Sequence, residues 1–235
     1  MDVRQFADGA AAVEACGGQI LEWLGKAIAQ KGRAALAISG GSSPRPMFER
    51  FAHTPFAWER VHLFWVDERG VPPTDAQSNF KFTQDAWLRP GNFPAANIHR
   101  IQAELDPAEA ASRYVADIQK FFGLVKDELP VFDVIHRGMG PDAHTASLFP
   151  GEALLDNRTD IAAAVWVQKF QQWRITLLPG VLLNARHTAL LATGADKAAA
   201  LRSVLDSPFD PRHYPAQIAS GDGTVWFVDA AAQKS

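Results

Sequence analysis

The sequence predicts an α/β protein with a mainly parallel sheet and helices on both of its faces. Short apolar runs of strand length alternate with longer segments whose apolar residues recur every three or four positions. Polar clusters follow the ends of several of these apolar runs, which is where ligands bind in open α/β sheets. Because helices alternate with strands, each helix returns the chain to the same edge of the sheet and successive strands run parallel.

The predicted strands are apolar runs that end in glycine or polar residues. They span residues 34–38, 61–66, 132–135, 161–167, 187–193 and 225–228. The first three run into polar clusters at residues 39–43, 67–69 and 138–144. Since the carboxyl ends of parallel strands share one edge of a sheet, we expect these three clusters to lie in one crevice.

Amphipathic spacing and helix-start residues predict the helices. In residues 9–31 the apolar side chains fall three or four positions apart, as at Val13, Cys16 and Ile20. Pro44 fits the opening of a second helix, because proline is tolerated in a first helical turn. The helices after the first are predicted over residues 44–51, 79–88, 106–122 and 195–205.

Length and composition indicate a single globular domain, residues 1–235. Of the 235 residues, 47% are hydrophobic and 21% are charged, which is ordinary for one soluble domain. The formal charge of −3 gives no basic excess to offset a nucleic-acid backbone, so any anion must be bound by a local cluster. Cys16 is the only cysteine, which excludes an intrachain disulfide and a multi-cysteine metal site; we expect it to be a small buried residue.

Localisation and partners are predicted from features that the sequence lacks. The N-terminus has no basic stretch followed by an apolar core, and no apolar run reaches membrane-spanning length. We therefore expect a cytoplasmic protein without membrane contact. The histidines show no regular ligand spacing, so no metal is expected. Nothing in the sequence indicates an obligate protein partner or a nucleic-acid partner.

The corner at residues 138–144 is the most informative stretch of the chain. It presents Asp142 and His144 two residues apart, and Gly138 and Gly140 permit backbone shapes that other residues avoid. An imidazole beside a carboxylate can transfer protons near neutral pH. The alternative is that Asp142 caps a following helix and His144 is merely in its first turn.

The loop containing Gly40, Gly41 and Ser42 is a candidate phosphate site. Glycines let the backbone approach a ligand closely, and a helix start offers N–H groups without partners. The loop lacks the lysine of a nucleotide-binding P-loop and the glycine spacing of a dinucleotide fingerprint, so neither cofactor is supported. The alternative is a tight turn with Ser42 or Ser43 as a helix cap.

Five further polar residues are candidates for ligand contacts. Arg69 offers a planar set of donors that suits phosphate, and Asp67 could orient it or bind sugar hydroxyls; the alternative is a solvated loop. Asn79 either caps the next helix or reaches a ligand. Arg174 opens a segment that runs to residue 183. Lys197 sits at a helix start, where it opposes the helix dipole, although exposed lysines are common.

Taken in order, these segments closely resemble those of the 6-phosphogluconolactonases, in the glucosamine-6-phosphate isomerase/6-phosphogluconolactonase superfamily. The match spans most of the chain and has five parts: residues 38–44, 65–69 with Ser78-Asn79, 138–151, 174–176 and 194–197. The resemblance implies a Rossmann-like, NagB-type fold and an enzyme without metal or organic cofactor. The superfamily's glucosamine-6-phosphate deaminase has a similar loop, but Leu148 and Phe149 replace its polar pair. That difference favours the lactonase.

The resemblance also implies a substrate, 6-phospho-D-glucono-1,5-lactone, and roles for the candidate residues. His144 would take a proton from the attacking water, and Asp142 would orient His144 or favour its charged form. Backbone N–H groups around Gly138 and Gly140 are a possible oxyanion site. The phosphate would be held by Gly40, Gly41, Ser42, Arg69, Arg174 and Lys197, while Asp67 and Asn79 would address hydroxyls or hold the loops. The alternatives are a deaminase-like sugar-phosphate isomerase and a non-catalytic sugar-phosphate sensor.

Three departures from the family pattern bear on the site. Ala143 stands where the family usually has glycine, and its Cβ would strain the loop at a positive φ. His136 and Arg137 replace the usual apolar pair before Gly138. Residues 169–173 replace a proline-containing approach to Arg174.

Overall fold

A computed structural model describes residues 2–233 and has ten strands in two sheets. The strands are β1 (Asp2–Phe6), β2 (Ala34–Ile38), β3 (Val61–Trp65), β4 (Asp67–Arg69), β5 (Ile98–His99), β6 (Val134–Gly138), β7 (Ala162–Val167), β8 (Gln172–Leu177), β9 (His187–Ala192) and β10 (Thr224–Asp229). Seven of them form a parallel sheet in the order β1-β10-β9-β6-β2-β3-β5. The predicted parallel α/β architecture is therefore confirmed.

The helices of the described residues cover both faces of this sheet. They are α1 (Gly9–Lys31), α2 (Arg45–His53), α3 (Asn79–Thr83), α4 (Pro107–Phe122), α5 (Pro179–Leu183) and α6 (Ala198–Asp206). Side chains alternate along β9 between two apolar cores. Ala189 and Leu191 lie in the core that contains α1, whereas Leu190 and Ala192 pack with α6. The alternation follows from the two-residue repeat of a strand, which directs successive side chains to opposite faces.

Local sequence explains where the first helix begins and ends. The carboxylate of Asp8 accepts from the N–H of Ala11 at 2.9 Å, so it caps the first turn of α1. Gly32 ends the helix in the left-handed conformation, with φ of 79°. Cys16 is fully buried in this helix, as expected, and burial raises the pKa of its thiol. Within residues 2–233, no helix has the length and apolar character that crossing a membrane requires.

Two predicted strands differ from those in the structure. The strand predicted at residues 132–135 lies at Val134–Gly138, because the polar residues His136 and Arg137 continue it inside the protein. Residues 161–167 do form a strand, β7, but it belongs to a separate antiparallel sheet in the order β4-β8-β7. The strands β1, β4, β5 and β8 were not predicted.

The small antiparallel sheet arises from charged residues that read as a loop in the sequence. In β4, Asp67 and Glu68 are buried, which overturns the solvated-loop alternative. The carboxylate of Glu68 accepts from the N–H groups of Asn79 and Phe80, both at 2.7 Å. A buried carboxylate is tolerated when backbone donors at a helix start surround it. This contact fixes the start of α3 beside β4, and the helix predicted over residues 79–88 changes to a π-helical turn after Thr83.

Candidate active site

A polar cleft lies at the carboxyl ends of four neighbouring strands, β9, β6, β2 and β3, and one wall comes from the antiparallel sheet. It is lined by Gly40, Gly41, Ser42, Asp67, Arg69, Asn79, His144, Arg174 and Lys197, among others. Nine of the ten sequence-predicted site residues thus meet in one cleft. The tenth, Asp142, lies behind His144 and contacts its ring. Position at the carboxyl edge of a parallel sheet is typical of α/β ligand sites.

The imidazole of His144 is held by Asp142. Nδ1 of His144 lies 2.5 Å from Oδ1 of Asp142, and the backbone N–H of His144 donates to the same oxygen at 3.3 Å. The His144 contact holds the pKa of Asp142 well below its usual range, so the carboxylate is ionised. A carboxylate bound at Nδ1 leaves Nε2 to accept a proton from a ligand. Asp142 therefore orients the ring and does not cap a helix.

The loop that carries His144 depends on Gly140. A Cβ at Gly140 would lie 2.0 Å from Nδ1 of His144, so the ring occupies the space of a side chain. Gly140 is required for this close approach, although neither Gly138 nor Gly140 has a positive φ. The N–H of Gly140 donates to the carbonyl of His144 at 2.9 Å. It is occupied, so the expectation that it serves an oxyanion is wrong for this residue.

Two residues outside the predicted set complete the surroundings of His144. The ring of Phe149 stacks on the imidazole, with centroids 4.2 Å apart. Nζ of Lys169, at the tip of the β7–β8 hairpin, lies 2.8 Å from Oδ2 of Asp142. In the sequence, Phe149 differs from the deaminase pattern, and Lys169 belongs to a segment that differs from the lactonase pattern. The sequence did not predict that either residue contacts the site.

Two arginines face each other across the antiparallel sheet. Arg69 in β4 and Arg174 in β8 are paired in register. Burial lowers the pKa of Arg174, with Asp67 opposing and Arg69 reinforcing the shift. Within residues 2–233, the buried Nε atoms of both arginines have no hydrogen-bond partner. Like charges in cross-strand pairs are destabilising, so this pair favours an anion between the guanidinium groups.

The loop after β2 and the segment that follows β9 also line the cleft. Gly41 has a φ of 110°, a conformation that favours glycine, and it turns the loop into α2. The cap position of α2 is Pro44, which makes no side-chain cap, so the alternative of a cap by Ser42 or Ser43 is wrong. Lys197 ends a short 3₁₀ turn with its side chain only 16% exposed, beside Asp196 at 2.8 Å. Each of these groups lines the cleft.

Asp67 and Asn79 join the loops of the cleft to one another. The hydroxyl of Ser147 donates to Oδ2 of Asp67 at 2.7 Å, which links β4 to the loop that carries His144. Nδ2 of Asn79 donates to the carbonyl of Asp67 at 2.8 Å, and Ser78, not Asn79, caps α3. Both side chains hold loops, as one of the sequence alternatives proposed. Oδ1 of Asn79 has no partner among the residues that the structure describes.

Ser39 and His136 also line the cleft and were not selected from the sequence. Ser39 lies in a serine-rich turn, where turn formation already explains the presence of a serine. His136 follows the predicted strand of residues 132–135, and its burial becomes evident only once the structure extends that strand to Gly138. For metals, the described residues contain no group of three or more His, Cys, Asp or Glu placed to hold an ion.

Comparisons with known proteins agree on one family. A family described as glucosamine-6-phosphate isomerases/6-phosphogluconolactonase matches residues 7–227. A 6-phosphogluconolactonase of Nostoc sp. is 38% identical over 215 residues, which cover 91% of this chain and 89% of that protein. A 6-phosphogluconolactonase of Synechocystis sp. is 36% identical over 209 residues, covering 88% of this chain and 86% of that protein.

Solved structures with the same fold include a 6-phosphogluconolactonase and a glucosamine-6-phosphate deaminase. The 6-phosphogluconolactonase of Thermotoga maritima has a TM-score of 0.83 and 27% identity, and the match covers 97% of this chain and 99% of that one. A monomeric glucosamine-6-phosphate deaminase has a TM-score of 0.84 at 15% identity, covering 99% and 98% of the two chains. The second likeness concerns the fold alone.

Proposed function

Because this chain belongs to the glucosamine-6-phosphate isomerase/6-phosphogluconolactonase family, we propose that it is the hydrolase of 6-phospho-D-glucono-1,5-lactone. The product is 6-phospho-D-gluconate, and the reaction belongs to the oxidative pentose phosphate pathway. The single observation that carries the proposal is the arrangement of the cleft. It has a carboxylate-bound imidazole on one loop and two facing arginines on the antiparallel sheet.

The phosphate group of the substrate is the proposed anchor. Arg69 and Arg174 face each other with buried donors, and Lys197 adds a third positive charge. Gly40, Gly41 and Ser42 lie in the loop that leads into α2, and backbone N–H groups of such a loop are suited to binding an anion. Binding energy at this end supports catalysis because it fixes the distant lactone carbonyl beside His144.

The proposed reaction is general acid–base hydrolysis at C1. Nε2 of His144 takes a proton from water as the water oxygen bonds to C1, and the lactone carbonyl becomes an oxyanion. The intermediate then collapses, the bond from C1 to the ring oxygen breaks, and the imidazolium returns its proton to that oxygen. Asp142 holds Nδ1 throughout and stabilises the imidazolium, which its contact of 2.5 Å supports.

The surroundings of His144 favour the lactonase over the deaminase. Phe149 stacks on the imidazole, and Leu148 is fully buried beside it in the sequence. The aromatic ring keeps one face of the imidazole apolar.

A cytoplasmic location is part of the proposal, because a charged sugar phosphate crosses a bilayer only at high cost.

A lactone hydrolysis assay tests the function directly. Hydrolysis creates a carboxylic acid, so proton release reports turnover, at a pH low enough to suppress spontaneous opening. We expect the wild type to be active and His144→Ala to lower kcat by roughly 10²–10⁴-fold, the usual contribution of a positioned acid–base group. His213→Ala is the matched control, because His213 also pairs with an aspartate (Asp210, 2.6 Å) but is exposed at the surface.

The results separate the candidate functions. Near-normal kcat in His144→Ala would remove that residue from the chemistry. Ammonia release from glucosamine 6-phosphate, with no lactone hydrolysis, would replace the lactonase by the deaminase. Thermal stabilisation by 6-phosphogluconate without hydrolysis would indicate a sugar-phosphate sensor.

A further inference from the structure

Several buried polar side chains that line the cleft have atoms without a hydrogen-bond partner among the described residues. Ser39, Asn79 and His136 are 7%, 2% and 1% exposed, and all three line the cleft. Within the described part of the chain, Oγ of Ser39, Oδ1 of Asn79 and both ring nitrogens of His136 have no hydrogen-bond partner. Buried polar atoms are nearly always paired, so a group of orphans on one cleft wall indicates that a ligand pairs them.

His136 lies where the two functional loops meet. It is in β6, two residues before the glycine that begins the loop of His144, and β6 pairs with β2 on one side and β9 on the other. The N–H of Ser39, the first residue after β2, donates to the carbonyl of His136 at 3.1 Å. His136 therefore joins the strand that leads to His144 to the start of the loop proposed to bind phosphate, and it lines the cleft that both loops border.

The chemistry of His136 suits a hydroxyl group better than an anion. Burial lowers its pKa to about 4, so the ring is neutral at physiological pH. A neutral imidazole has one N–H donor and one acceptor nitrogen, and a sugar hydroxyl also donates and accepts. Its ring meets that of Phe48 edge-on, with centroids 6.1 Å apart, and this packing helps to fix its orientation.

We propose that His136 is a specificity-determining residue that hydrogen-bonds a secondary hydroxyl of the sugar ring, with Ser39 and Asn79 lining the same cleft. This inference rests on the proposed lactonase function and deepens it by naming the residue that recognises the middle of the substrate. It assigns a use to a histidine that the family pattern would replace by an apolar residue.

The neighbouring Arg137 provides a matched control. It is also fully buried, and all three nitrogens of its guanidinium group have no hydrogen-bond partner within residues 2–233. Successive side chains of a strand point to opposite faces, so Arg137 points away from the face of His136. It does not line the cleft. Arg137→Leu therefore removes a buried orphan polar group from the same strand without touching the proposed site.

The experiment compares substrates that differ by one hydroxyl. His136→Leu and Arg137→Leu are assayed with 6-phosphogluconolactone and its 2-, 3- and 4-deoxy analogues. We expect His136→Leu to lower kcat/KM for the full lactone about 10- to 100-fold, the effect of one lost buried hydrogen bond. For one deoxy analogue the same substitution should change kcat/KM less than about 3-fold, because its partner is already missing. Arg137→Leu should keep the selectivity of the wild type.

Two further variants test for a direct contact. Asn and Gln keep a donor and an acceptor, and they place them near Nδ1 and Nε2 of the histidine respectively. Whichever of His136→Asn and His136→Gln recovers activity reports which ring nitrogen faces the hydroxyl. An effect of His136→Leu that is equal on all four lactones, or absent, would overturn the inference.

Product binding keeps the test separate from the proposed function. Calorimetry with 6-phosphogluconate measures the same contact without turnover, so an inactive wild type that still binds counts against the lactonase alone. Failure of the wild type to bind 6-phosphogluconate would overturn both. In the absence of ligand, His136→Leu should raise Tm by about 2–6 °C, because an unpaired polar group is removed. A lower Tm together with unchanged selectivity would show a purely structural role.

Discussion

Asp142 is held by a partner on each of its carboxylate oxygens. One oxygen contacts the imidazole of His144 at 2.5 Å, and the other contacts Lys169 at 2.8 Å. The contact with His144, and then that with Lys169, hold the pKa of Asp142 well below its usual range. The ionised carboxylate is therefore fixed from both sides and keeps the imidazole in one orientation.

Replacing Lys169 should weaken the support of His144 and lower kcat. In Lys169→Met the carboxylate of Asp142 keeps only its contacts with His144, so the ring is held less firmly. The lysine is half exposed, so an ion pair of modest strength is lost and kcat should fall about 2- to 5-fold. The measurement is kcat with 6-phosphogluconolactone. Lys126→Met, which removes an exposed lysine elsewhere, is the control for net charge; an unchanged kcat in Lys169→Met would contradict this role of the lysine.

Some residues of the site could be selected from the sequence because they are polar residues or glycines that directly follow a predicted strand. Asp142, His144 and the glycines follow an apolar run, and a strand end is where function is expected. Arg69 and Arg174 were ambiguous, since nothing in the sequence shows that they are cross-strand neighbours. Their pairing is a consequence of register in a sheet that local patterns do not reveal.

At the scale of elements, the loop between β6 and the antiparallel sheet contains a strained position. Ala143 has a φ of 63°, as the comparison with the family pattern led us to expect. A non-glycine residue in this region costs about 1–2 kcal/mol. The Cβ is compensated, because Ala143 is buried in the second apolar core with Met139 and Ala216. The alanine is therefore compatible with an intact loop.

Ala143→Gly should change the protein little. The substitution relieves about 1–2 kcal/mol of strain, but loses one buried methyl group at about 0.8 kcal/mol and adds about 0.4–1 kcal/mol of unfolded-chain entropy. We expect the free energy of unfolding to stay within about 1 kcal/mol of the wild type by urea denaturation, and kcat/KM within about 3-fold. Lactonase activity in the glycine variant but not in the wild type would show that Ala143 prevents catalysis in this protein.

The elements that were predicted well are those whose pattern is local. The helix α1 and the strand β2 have the predicted bounds, because periodicity and caps are written in consecutive residues. The strand β4 was not predicted, since three charged residues in a row are typical of a loop. Glu68 becomes tolerable inside only because distant N–H groups of α3 surround it.

At the scale of the whole molecule, the arrangement of strands produces the site. The four central strands β9, β6, β2 and β3 bring their carboxyl ends together, although their residues span positions 34 to 192 of the chain. The antiparallel sheet then contributes the two arginines as one wall. The convergence of three polar clusters could be predicted from parallel topology, but this second sheet could not. The interpretation of residues 1–235 as one domain stays a prediction.

A crystal structure of the wild-type protein with 6-phosphogluconate would show whether the imidazole and the cations bind opposite ends of one ligand. We expect the phosphate between Arg69, Arg174 and Lys197, and the carboxylate that derives from the lactone carbonyl within about 3 Å of Nε2 of His144. The intervening hydroxyls would face the wall that contains His136. A phosphate bound beside His144, or a ligand bound away from the arginines, would contradict the assignment of both ends of the cleft.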